Sequence, residues 1–156
     1  MELRLYTFVN YYLSSMQQGI QTGHLAVDLV RKYAKLEGAI SPAKVEMARD
    51  WADNHKTFIV LNGGNADGIR SAAVTVSESG YPYAAFHEDF RSLDGMMTCA
   101  GVVVPDHIFN ARVMSERGEP VVYGVQYDGP LASPAAVIAG PDYNLITLLK
   151  SCRLAS

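Results

Sequence analysis

Cysteine is scarce: the chain of 156 residues has two, Cys99 and Cys152. They share no metal-ligand or redox spacing, and a disulfide-stapled secreted scaffold uses more, so two free thiols in a reducing cytoplasm are expected. Positive charge is not in excess either. Thirteen Lys and Arg against sixteen Asp and Glu give a formal charge of −3. That excludes the basic coat behind generic nucleic-acid affinity, while leaving room for a local basic patch. No apolar run approaches the ~20 residues of a bilayer span, so no membrane segment is expected. The N-terminus, MELRLYTFVNYY, has an acidic second residue and no small-residue cleavage site, and does not read as a secretory signal. Internal repeats, low-complexity tracts and Pro-, Gly- or Ser-rich linkers are also missing, which leaves a single domain over 1–156. What is present, 49% hydrophobic and 19% charged residues, is the balance of a folded globule rather than a disordered tail.

The most informative stretch is residues 16–35, MQQGIQTGHLAVDLVRKYAK. At about 100° per residue, Gln17, Gln21, His24 and Asp28 share one thin sector, which Arg31 and Lys35 extend. Met16, Ile20, Val27, Val30 and Ala34 lie on one flank, and Leu25, Leu29, Tyr33 and Leu36 on the other. The pattern predicts a helix packed on several sides that shows one polar strip.

Around it the chain alternates strand and helix. Residues 3–9 (LRLYTFV) read as a buried first strand, with Ser14 or Ser15 to cap the helix and Gly38 to stop it. Ser41-Pro42 opens a second helix with Val45, Ala48 and Ala52 at helical spacing. Residues 56–61 form a second strand, 66–79 a third helix ended by Gly80, 81–86 a third strand, and 98–104 a fourth stopped by Pro105. Residues 120–128 and 135–139 read as further strands, and Gly140-Pro141-Asp142 starts a terminal helix carrying Leu145, Ile146, Leu148 and Leu149. The expectation is an α/β, three-layer fold: a mixed sheet of about four core strands, helices on both faces, and an inserted β-hairpin region at about 105–139.

Three constellations invite chemistry. His24 has Gln21 three residues before it and Asp28 four after, on one helical face. A carboxylate there orients an imidazole and the nearby helix N-terminus disfavours its charged form, which suits a general base; the competing reading is a solvated helix edge. The segment His87-Glu88-Asp89-Phe90-Arg91-Ser92 follows a strand, where open α/β sheets place ligand loops. A metal held by His87, Glu88, Asp89 and Asp94 is an alternative that no ligand spacing supports, and solvated loop charge is another. The glycine-rich 62–68 lacks a phosphate-loop ending, so Asn65 or Asp67 capping the third helix accounts for it better. Trp51 and Tyr81 offer base stacking, against the plainer reading that both are core.

The order of elements and the motifs together resemble a family, the type 2 (archaeal and eukaryotic-type) peptidyl-tRNA hydrolases. Gln21-Thr22-Gly23-His24, preceded by Gly19, is similar to the family's Gln-x-x-His. Gly80-Tyr81-Pro82 matches its Gly-x-Pro-led strand, Asp89-Phe90-Arg91-Ser92 its Asp and Arg-Thr loop, and Gly140-Pro141 its closing helix. The likeness covers roughly 3–104 and 140–152. It implies proton transfer by His24 and Asp89, with Gln21, Arg91 and Ser92 holding the substrate. It also implies tRNA as partner, and neither cofactor nor metal. Two departures bear on it: residues 16–20 (MQQGI) hold none of the family's lysines, and 105–139 is an insertion. They point to a second function, a divergent non-catalytic relative binding a partner or small ligand in the family cleft, with hydrolysis of the peptide–tRNA ester as the alternative. A second copy of the chain has the apolar C-terminal hairpin region to bury against. Both functions require the Gln21/His24 edge and the Asp89 loop to meet beside one cleft.

Overall fold

The computed structural model describes residues 1–35, 40–116, 119–126 and 133–155; Gly38 and Leu36 lie outside these. Strand β1 (Leu3–Val9) is central to a four-stranded sheet with β2 (Thr57–Asn62), β3 (Tyr83–His87) and β4 (Met97–Pro105), in the order β2-β1-β4-β3. β1 runs parallel to β2, with Val9 opposite Asn62, and antiparallel to β4, with Val9 opposite Cys99. β3 closes the other edge antiparallel to β4, with Phe86 opposite Cys99. The sheet is therefore mixed, as expected.

Alternation along the strands sends successive side chains to opposite faces. Leu3, Leu5, Val9, Cys99 and Val103 meet helix α1 (Ser15–Ala34), α2 (Pro42–Asp50) and the π-helical turn Trp51–His55 that follows it. Phe8, Ala100, Val102 and Val104 meet α3 (Ala66–Glu78), together with α5 (Asp106–Phe109) and α6 (Pro141–Ser151). Helices thus cover both faces. Trp51, 3% exposed, donates its indole N–H to the Thr57 carbonyl at 3.1 Å, which is the core reading of that residue.

Helix α1 begins where the sequence says. The Ser14 hydroxyl accepts from the Gln17 amide and the Gln17 side chain accepts from the Ser14 amide, a reciprocal cap. It lies close to the sheet because β4 has no side chain at Gly101. A Cβ there would stand 2.8 Å from Leu25 Cδ2 and 3.0 Å from the Tyr6 carbonyl oxygen. The expected wrapping of this helix is corrected: Leu25, Leu29 and Tyr33 are buried, but Met16, Ile20, Val27 and Val30 are exposed, and Gln21 of the polar strip is buried. Both flanks have the composition of a core, and there is sheet for only one.

The stretch between β4 and α6 carries one strand more than a hairpin. β5 (Arg112–Glu116), β6 (Glu119–Gln126) and β7 (Ser133–Ile138) form a separate antiparallel sheet in that order. Val122 of β6 is fully buried in the cluster that holds Leu145 and Ile146 of α6, and the Tyr143 hydroxyl donates to the Pro120 carbonyl at 3.1 Å.

Candidate functional site

β1, β2 and β3 all end on the same side of the sheet, so three connections gather there: 10–14 leading into α1, 63–65 leading into α3, and the β3–β4 connection. Backbone bonds tie them together. The Asn10 amide donates to the Thr98 carbonyl at 3.3 Å, the Tyr11 amide to Gly64 at 3.1 Å, and the Glu88 amide to Met96 at 2.9 Å. This is the edge where open α/β sheets hold ligands.

Gln21 links helix to loop to strand. It points from α1 into the sheet end and is 6% exposed. Its Nε2 donates to Glu88 Oε1 across 67 residues of sequence, and its Oε1 accepts from the Thr98 hydroxyl at 2.8 Å. Beside it the Thr22 and Thr7 hydroxyls share a buried hydrogen bond of 3.1 Å. A primary amide buried between a donor and an acceptor has a partner at each end, which lowers the cost of burying it.

One turn further along α1, His24 is exposed and its ring lies 4.9 Å from that of Phe86, the residue of β3 opposite Cys99. Asp28 is partly exposed, and among the described residues it makes no hydrogen bond to His24. Asp89 accepts from the Arg91 amide at 3.2 Å and so caps the single turn of α4 (Phe90–Leu93). Arg91 is exposed, and the Ser92 side chain lies outside the described residues. The structure therefore brings Gln21 to the loop that carries Asp89 and His24 to Phe86 of the strand before it, and the carboxylate that meets the helix is Glu88.

Its neighbour His87 goes to the other face, where it lines a hollow of about 330 Å³ with Arg70, Asp94 and Met97. Among the described residues no three of His, Cys, Asp and Glu are gathered to hold a metal. The glycine-rich connection before α3 has the Gly64, Asp67 and Gly68 amides occupied by its own side chains, and Gly63 donates to the Val9 carbonyl. Asn65 Oδ1 accepts from Asp67 and Gly68 at 3.1 Å each, and Asn62 Oδ1 accepts from Gly64 at 2.9 Å. Asn65 is thus the cap. The cations of α1 stand at its far end. Lys32 Nζ donates to the Tyr83 carbonyl at 3.0 Å and lies 3.6 Å from the Tyr83 ring centroid; burial and Lys44 hold its pKa below the ordinary lysine range.

Thr98 and Phe86 were not expected at the site, and Glu88 was weighed there only as a metal ligand. Thr98 carried a signal, a hydroxyl at the mouth of an otherwise apolar strand. For Glu88 the signal was shared with Asp89 beside it, and which of the two adjacent carboxylates meets α1 is set by the path of the chain after β3 ends at His87, where Asp89 is taken up capping the next turn. The chain matches no model of a known protein family, and no curated protein is similar to it in sequence.

Proposed function

We propose that this chain is a divergent relative of the type 2 peptidyl-tRNA hydrolases that binds a partner or small ligand at the carboxyl end of β1 without turning it over. The observation that carries the reading is the Gln21 side chain, spent at both ends on Thr98 and Glu88. So tied and 6% exposed, it fixes the helix to the loop and is spent on structure at each end. Residues 16–20, exposed apart from Gln18, hold no cation, so no charged side chain at the first turns of α1 supports an oxyanion or a phosphate. His24, Phe86 and Arg91 are the groups left to meet a ligand. The partner is tRNA or another protein, in a reducing cytoplasm that two free thiols suit.

Hydrolysis is the second reading, with His24 and Asp89 moving protons and Gln21, Arg91 and Ser92 holding the substrate. It is favoured by the exposure of His24 at the same end of the sheet as the Asp89 loop. Release of free tRNA from peptidyl-tRNA separates the two. Wild type is expected to release none above the uncatalysed control. Release that disappears in both His24→Ala and Asp89→Asn would establish the hydrolase instead.

A further inference from the structure

The two edges of the four-stranded sheet are finished differently. At β2 the end of the chain takes up the outward backbone groups. The Asn62 amide donates to the Arg153 carbonyl at 2.8 Å, the Ala155 amide to the Val60 carbonyl at 2.9 Å, and Leu154 bridges to Leu61. β3, at the other edge, has no strand beside it among the described residues. Its pairing with β4 shows which groups face out. The Val103 amide donates to the Pro82 carbonyl at 2.8 Å, and the register continues with Ala84 opposite Gly101 and Phe86 opposite Cys99. In an antiparallel pair every second residue bonds to its neighbour, so Tyr83 and Ala85 turn their N–H and C=O away from the sheet. At Tyr83 helix α1 takes both: the amide donates to the Tyr33 hydroxyl at 3.0 Å, and the carbonyl accepts from Lys32 Nζ at 3.0 Å. Among the described residues nothing takes the pair at Ala85.

The rim of this open edge is basic. A hollow of about 460 Å³ is lined there by Ala84 and Ala85 and by Asp28, Arg31, Lys32 and Lys35 of α1. Lys44 of α2 stands on the Tyr83 ring as well, its Nζ 5.7 Å from the centroid that Lys32 approaches to 3.6 Å. A chain with sixteen acidic and thirteen basic residues thus gathers Arg31, Lys32, Lys35 and Lys44 in one place. Among the described residues none of them is in an ion pair. Lysine beside an edge strand deters neutral or basic strands from pairing with it, and the same charge attracts an acidic one. A second copy of the chain fits badly. Antiparallel pairing of β3 with β3 keeps both α1 helices on one face of the joined sheet and sets cation against cation.

We propose that the open edge of β3 binds an extended acidic segment of another protein by strand addition, with the Ala85 N–H and C=O as its backbone partners. The register follows from the pleat. Ala84 belongs to the cluster on the α1 face, with Leu25 and Cys99, and Ala85 points to the other face. The partner residue opposite Ala84 therefore points to the side where Arg31, Lys32 and Lys35 stand, and there the proposal places an aspartate or glutamate. Tyr83, already bonded to α1, ends the ladder, so the contact is short and reversible. It is independent of what the carboxyl end of β1 binds.

A fluorescein-labelled octapeptide of alternating valine and glutamate tests it, read by fluorescence anisotropy and by amide hydrogen exchange of the intact chain. Without peptide the Ala85 amide is expected to exchange at least ~10-fold faster than those of Ala84 and Phe86, and with peptide to slow at least ~10-fold. Replacing the peptide's glutamates by glutamine is expected to raise Kd at least ~10-fold, and so is the double substitution Arg31→Glu, Lys35→Glu. Ala85→Pro removes the outward amide where an edge strand tolerates proline, and is expected to weaken binding as much; the exchange measurement on wild type stands without it. No binding of the glutamate peptide up to about 1 mM overturns the proposal. Binding that leaves Ala85 exchange unchanged, or that the glutamine peptide matches, overturns it too. Protection of Ala85 that grows with protein concentration alone overturns it in favour of a second copy, and an oligouridylate that binds where the peptide does not overturns it in favour of RNA.

Discussion

Leu25, Leu29 and Tyr33 on one flank of α1 are 0–3% exposed, whereas Val27 and Val30, interleaved with them in sequence, keep 57% and 39% of their surface. The side chains are alike in hydrophobicity, so the difference arises in what faces them. Beneath the first flank the sheet presents Gly101, Ala84 and Cys99, residues small enough for a helix to settle close. Beyond the second, among the described residues, stand only the edge strand β2 and the π-helical turn, with Phe58 itself 42% exposed. A helix apolar on two sides is thus held by one and advertises the other, and the polar strip between them carries the candidate site.

The sharpest break between the flanks is truncation. Leu29→Ala should cost about 2–5 kcal/mol through a cavity against the sheet. Val27→Ala, in protein dilute enough to be monomeric, should stay within about 0.5 kcal/mol; urea unfolding measures both. Next come the glycines. Gly101→Ala forces a methyl against Leu25 and the Tyr6 carbonyl and should cost about 1–3 kcal/mol. Gly19→Ala enters open space and should gain about 0.5–1 kcal/mol. Equal signs would erase the distinction between the two sides.

The smallest effect lies under the buried flank. Burial raises the Cys99 thiol well above its ordinary pKa, and its contact with Thr22 only partly offsets this. A group whose pKa is raised by folding contributes stability that is whole below the unfolded value and lost above it. The decline should begin near the ordinary pKa of 9.0, amount to about 0.4 kcal/mol at that pH, and vanish in Cys99→Ala.

The fold was largely legible in advance because its signals are local. Ser14, Ser41-Pro42, Asn65 and Gly140-Pro141 mark helix starts, and the β-branched runs of β1 and β4 mark strands buried on both faces. The motif residues Gln21 and His24 could also be read on one face of a helix. What escaped was set by distance along the chain. The choice of Glu88 over Asp89 depends on the path of the loop after β3 ends at His87, and the exposure of Val27 on how far the sheet extends. β5 was missed because its five residues, RVMSE, lack the β-branched density that marks a strand from sequence alone.

The central claim is that α1 and the β3–β4 loop form one surface, joined through Gln21 and Glu88. A double-mutant cycle on Gln21→Ala and Glu88→Ala, read from urea unfolding, tests it most directly. A coupling energy of about 1 kcal/mol or more is the predicted result. Costs that simply add, to within about 0.3 kcal/mol, would mean that helix and loop do not meet there.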